Sequence, residues 1–226
     1  MYILHYAPDN ASLIIRLVLE EAGIDYRTVL VDRSQHAQNS DAYRRLNPTG
    51  LIPALETPDG PIFETAAILL WLSDRHDLAP AFDAPLRGTY LKWLFFISNT
   101  AHADLRQLFY PGQYVPADAT PGHHALLSAR MTRHFGLLDQ ACADHPLLFG
   151  PTSILISYLA PLMRWAVLYP AGQIRWFHLA DYPKLALEIA AVEARPATQR
   201  LIIAEGLGVT PFTAPNYPDP PEGSPH

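Results

Sequence analysis

Every strand signal in this chain falls before residue 64, and from residue 86 onward only helical patterning remains. A chain that changes period in this way builds an α/β layer first and an all-α unit after it. Ile3-Leu4-His5-Tyr6 reads as a short strand ended by Pro8-Asp9-Asn10. Ser12 or Asn10 is placed to cap the next helix, whose apolar positions Ile15, Leu17, Val18, Leu19 and Ala22 stop at Gly23. Tyr26 to Val31 is a second strand, and a weak helix is expected around Tyr43 and Leu46. Leu51 to Glu56 and Pro61 to Phe63 are strands joined by the turn Thr57-Pro58-Asp59-Gly60, and a helix from Thr65 to His76 closes the unit.

The division that follows is an α/β domain over 1–78, a linker over 79–85 carrying Pro80 and Pro85, and an all-helical domain over 86–206. Helices are expected over 88–109, 123–143, 153–169 and 183–194. The last twenty residues hold six prolines and no periodic apolar face, so 207–226 is expected to lie extended on the surface or disordered.

Composition narrows the function classes. With 49% apolar and 17% charged residues the chain reads as globular, and its net charge of −6 with no Lys/Arg run argues against nucleic acid. One cysteine, Cys142, excludes an internal disulfide framework and fits a reducing compartment, the cytoplasm. Met1 to Tyr6 lacks a basic start and reads as a strand, so a signal peptide is not expected. The most membrane-like segment, 154–171, is interrupted by Pro161 and Arg164 and is short for a span of about 20 residues, so no membrane association is expected. His123, His124 and His134 match no metal-ligand spacing, and no metal is expected.

The chemistry concentrates around Asn47-Pro48-Thr49-Gly50-Leu51-Ile52-Pro53 and the pair Glu64-Thr65. Pro53 stands where a ladder N–H would be needed, which suits a sheet edge or a tight turn, cis included. Either leaves the backbone of Ile52 free to pair with an added peptide strand. Glu64 and Thr65 supply a carboxylate, a hydroxyl and the N–H groups of a helix N-terminus, which suit an amine and a carboxylate. One small peptide with an α-amino acid end satisfies both places.

These residues resemble the thioredoxin-fold half of the glutathione S-transferase superfamily, and the resemblance runs from Tyr2 to about Gly206. It implies a thioredoxin-like α/β N-terminal domain followed by an all-α helical bundle. It also implies a homodimer that uses glutathione as co-substrate against a small electrophile. Ile52 and Pro53 would then meet the cysteinyl peptide, Glu64 the γ-glutamyl amine and Thr65 its carboxylate.

The loop Tyr6-Ala7-Pro8-Asp9-Asn10-Ala11-Ser12 is most similar to that of bacterial beta-class members, which carry a cysteine followed by a serine. Ala11 stands at the cysteine position, so a mixed disulfide there is ruled out. Ser12 and Asn10 become the candidate donors to the thiol, although Ser12 could simply cap the helix and Asn10 could be a turn residue. His102 matches a histidine that beta-class relatives direct at the ligand, with Arg106 on its face; the other reading is a histidine bonded inside a bundle. Tyr6, Phe109 and Trp165 are candidates for an apolar second-substrate pocket, and helix core is the alternative for each. Ser153 suits the cap of a superfamily folding helix, but Ile156 stands where its capping box needs an acid.

The activity implied is attack of a glutathione thiolate on an electrophile. Two rivals remain: glutathione as reductant or cofactor for peroxidase, isomerase or lyase chemistry, and a non-catalytic binding or scaffold protein of the same fold.

Overall fold

The computed structural model describes residues 1–225. The first elements are β1 (Tyr2–Tyr6), α1 (Ser12–Ala22), β2 (Tyr26–Leu30), α2 (Asp41–Arg44), β3 (Ala54–Thr57), β4 (Gly60–Phe63) and α3 (Thr65–His76). The sheet order is β2-β1-β3-β4, with β1 parallel to β2 and antiparallel to β3, and β3 antiparallel to β4. This mixed sheet with flanking helices is the expected thioredoxin-like layer.

One detail differs from expectation. The strand after Pro53 is internal, paired on both sides, so the proline does not mark a sheet edge. It precedes the first ladder residue, Ala54, and the Ile52–Pro53 bond is cis, which is the tight-turn alternative.

The later elements are α4 (Arg87–Phe96), α5 (Ala103–Phe109), α6 (Thr120–Asp144), α7 (Ile154–Leu168), α8 (Pro183–Glu193) and α9 (Pro196–Glu205). A π-helical segment, Ile97–His102, joins α4 to α5 where one unbroken helix was expected. Fourteen of the fifteen residues of α7 are buried, Pro161 and Arg164 included, as its apolar sequence anticipates. Ser153 caps α7 by accepting the Ile156 N–H at 3.1 Å, so the hydroxyl half of the box works without its acid. Among the described residues no helix is long and apolar enough to cross a membrane.

Two compact units result: residues 1–82 with 193–211 and the chain from 216 on, and residues 83–192 with 212–215. The sequence division had grouped 86–206 together and set 207–226 aside. The difference lies in α1. That helix buries Leu13, Ile14, Ile15, Leu17, Val18 and Leu19, an apolar surface broader than one neighbour covers. It packs on both α3 and α9, which brings α9 into the first unit. The tail is likewise anchored, since Leu207 and Phe212 are fully buried. Gly206, at φ +63°, ends α9, and its carbonyl accepts the N–H of Asp219 at 2.9 Å. A Cβ at Gly206 would meet the Asp219 carbonyl oxygen at 1.9 Å, so the crossing needs glycine.

Candidate active site

The loop from β1 to α1 is held from within and from a distance. Ser12 is the first residue of α1, and its hydroxyl donates to the Ala7 carbonyl at 3.0 Å while accepting the Ala7 N–H at 3.3 Å. The side chain is fully buried. Ser12 is therefore not the helix cap, and its one donor hydrogen is spent on Ala7, joining the end of β1 to the start of α1. The N-cap position is Ala11, which has no side chain able to cap.

Asn10 is placed differently. Its Oδ1 accepts the Ala11 N–H and its carbonyl accepts the Leu13 N–H, each at 2.8 Å. Its Nδ2 has no partner among the described residues, and the residue is partly exposed at the N-terminal end of α1. An amide pinned by its oxygen offers its two hydrogens to a ligand. The start of the helix adds positive potential at the same place.

Tyr6 does not line an open pocket. It is 2% exposed, its hydroxyl donates to Glu222, and Arg16 lies over its ring at 5.2 Å. Burial and the Glu222 carboxylate push its phenol upward.

The second part of the site is the segment before β3. Asn47, 2% exposed, accepts both the N–H and the hydroxyl of Thr49 and donates Nδ2 to the Leu51 carbonyl at 2.7 Å. The Tyr43 hydroxyl donates to the same carbonyl at 2.7 Å, and Tyr43 packs with Val31 and Ala54 beneath Ile52. Leu51 is thus fixed by two donors, while the Ile52 backbone has no partner among the described residues. Asn47 and Tyr43 were missed as anchors. An asparagine two residues before a threonine, in a turn-rich stretch, was the available signal.

Glu64 follows β4 at φ +70°, a sparsely populated conformation for a residue with a Cβ. It turns the chain directly into α3, whose first residue, Thr65, is 8% exposed. No other described residue engages the Glu64 carboxylate or the Thr65 hydroxyl. A strained backbone and unengaged polar groups thus coincide at the start of α3.

In the helical unit, His102 ends the π segment. Its Nδ1 lies 3.0 Å from the Tyr158 hydroxyl, and its ring sits beside Trp165 with centroids 5.9 Å apart. Burial, with Arg106 adding to it, pushes the imidazole down to about 4. The side chain therefore has partners within the helical unit and is neutral near pH 7. Trp165 is 4% exposed, and Phe109 packs edge-on to Tyr169 at 5.8 Å. Cys142 is buried, with its thiol pushed up to about 12 by burial and by Asp139 and Glu188.

Known proteins point the same way. Residues 11–75 match the family model described as "Glutathione S-transferase, N-terminal domain". The chain is 29% identical to glutathione S-transferase GstA of Escherichia coli O157:H7, over 90% of this chain and 98% of that protein. A sphingomonad glutathione S-transferase solved with glutathione is 26% identical, with a TM-score of 0.72, covering 91% of this chain and 100% of the other. A bacterial beta-class enzyme of Sphingomonas chungbukensis is 25% identical at TM-score 0.72, covering 90% and 98%. The N-terminal part of the chain thus matches a glutathione S-transferase domain, and along most of its length the chain is similar to glutathione S-transferases, a bacterial beta-class one included.

Proposed function

We propose that this protein binds glutathione in its N-terminal unit and joins the tripeptide, through its sulfur, to a small electrophile. The observation that carries the proposal is the set of groups left unengaged in that unit. They are the Ile52 backbone beside cis-Pro53, the Glu64 carboxylate, and the Thr65 hydroxyl at the start of α3. The Ile52 N–H and carbonyl would pair with the cysteinyl residue as an added strand. Glu64 would take the γ-glutamyl ammonium, and Thr65 with the α3 N-terminus its carboxylate.

Asn10 would donate its amide N–H to the glutathione sulfur, favouring thiolate over thiol. The thiol proton leaves to solvent, the sulfur forms a bond to the electrophilic carbon, and the leaving group departs with its electron pair. No covalent enzyme intermediate is needed, and Ala11 provides no sulfur for one. The chain's own contribution is proximity and stabilisation of negative charge on sulfur. Ser12 would serve by shaping the loop, and His102 by packing the helical unit. Homodimerisation and a cytoplasmic location belong to the same proposal and follow from the family resemblance.

The test is calorimetric titration with glutathione, paired with turnover of an activated aryl chloride. Saturable binding with glutathione-dependent turnover supports the transferase. Binding without turnover rejects transfer to this electrophile and supports the carrier or the peroxidase, isomerase or lyase reading, which peroxide reduction and a substrate panel separate; absence of binding rejects all of them.

A further inference from the structure

Glu205, the last residue of α9, is fully buried, yet it is remote in sequence from the loop it touches. Its Oε2 accepts the backbone N–H of Asp9 at 3.0 Å, and its Oε1 accepts from Arg16 Nη1 at 3.2 Å. Asp9 is at φ +48°, in the left-handed region, and directly precedes Asn10. A non-glycine residue stays there only when its surroundings hold it.

The other groups around this carboxylate fix its setting. Arg16, on α1, also donates Nε to the Tyr26 hydroxyl on β2 at 3.2 Å, and Tyr26 donates to Glu20 at 2.5 Å. The Arg16 guanidinium lies over the Tyr6 ring, whose hydroxyl meets Glu222 in the tail. Glu205 thus receives two donors from two parts of the β1–α1 junction, while Ser12 ties the same junction from inside.

We propose that Glu205 is a positioning residue for thiolate stabilisation: by accepting the Asp9 N–H it holds the left-handed peptide that aims the Asn10 amide. This rests on the function proposed above and adds to it a group outside the matched N-terminal domain. A buried carboxylate is a costly way to fill space, and its removal would take the Glu205 acceptor from the Asp9 N–H and from Arg16 Nη1. What it supplies is an acceptor for the Asp9 N–H that comes from α9, 196 positions away.

The experiment compares full-length wild type, Glu205→Gln and Glu205→Met, each with and without Asn10→Ala. It reads the hydrogen exchange of the Asp9 amide, the titration of the bound glutathione thiol, and kcat and KM. Gln keeps one acceptor oxygen for two donors and Met keeps none. Exchange should quicken from wild type to Gln to Met, while kcat falls in the same order, reaching about tenfold or more for Met. A displacement of about one ångström can cost on the order of a hundredfold. KM should stay within about threefold, and in the Asn10→Ala background the ordering of kcat should vanish.

If Glu205→Met does not fold, the wild-type and Gln pair carries the same comparison. Unchanged kcat in the Gln and Met variants, or equal losses with and without Asn10, would overturn the proposal, because a merely structural role acts independently of Asn10. Failure of the underlying function has a different signature: Asn10→Ala alone would leave the thiol titration unmoved.

Discussion

Asn10 Oδ1 accepts the Ala11 N–H at 2.8 Å, and this tie leaves the amide's donor end without a partner among the described residues. Ser12, two positions on, spends its one donor hydrogen on the Ala7 carbonyl and accepts the Ala7 N–H. Two small polar residues of one loop are thereby given separate tasks, and substitutions should separate them.

Ser12→Ala should weaken the fold more than the chemistry. It removes a donor and an acceptor from a fully buried site and leaves the Ala7 groups unpaired, at a cost of roughly 1–3 kcal/mol. Urea denaturation should show a lower midpoint. The titration of bound glutathione thiol should stay within a few tenths of a pH unit of wild type; a large upward shift would restore Ser12 as the sulfur's partner.

Thr65→Ala should weaken glutathione binding by about ten- to hundredfold, the worth of one charge-assisted hydrogen bond. Thr65→Ser should be mild, since the hydroxyl and the N–H groups at the start of α3 both remain. Calorimetry checks both, and equal affinity for wild type and Thr65→Ala would place the carboxylate clamp elsewhere.

The parts legible in the sequence are local ones. Pro53, Glu64 and Thr65 announce themselves because turn chemistry and a helix start are properties of neighbours in the chain. The role of α9 was hidden. Of its apolar residues only Ala197 and Leu201 are buried, and its packing against α1 depends on a face of α1 that period alone does not assign. Glu205 was hidden for a stronger reason: its partner Asp9 lies 196 positions away, and nothing in a charged residue at a helix end signals complete burial. Leu207 and Phe212, buried residues of the tail, were passed over because its proline content was weighed first.

His102 should remain neutral well below its ordinary range. Its imidazole is pushed down to about 4 by burial, with Arg106 adding to the effect. The ring proton shifts measured by NMR should stay flat from pH 8 to about pH 5. Unfolded chains take up the proton near 6.5 and the native chain does not, so His102 costs stability progressively as pH falls from about 6.5 to about 4. An inflection near 6.5 in the native protein would contradict the packing described for it.

Glu205 should leave the opposite mark on stability. Burial raises its carboxyl from 4.5 to about 7, with Arg16 and the Asp9 N–H opposing the rise. The native state therefore holds this proton more tightly than the unfolded chain. The contribution is full below about 4.5 and is lost as pH rises through about 7, a change on the order of 3 kcal/mol. Glu205→Gln should flatten that limb of the stability profile measured by urea denaturation. A profile of the same slope in the variant would assign the proton to another group.

The central claim is that Asn10 stabilises glutathione as thiolate. Ultraviolet titration of the protein–glutathione complex measures this directly, since the thiolate absorbs and the thiol does not. In wild type the bound thiol should titrate below its free value, and in Asn10→Ala it should return upward by about one to two units, the worth of a hydrogen bond to a charged sulfur. Affinity should change only a few-fold, because the bond matters most to the charged form. A bound thiol titrating at the same pH in wild type and Asn10→Ala would contradict the claim.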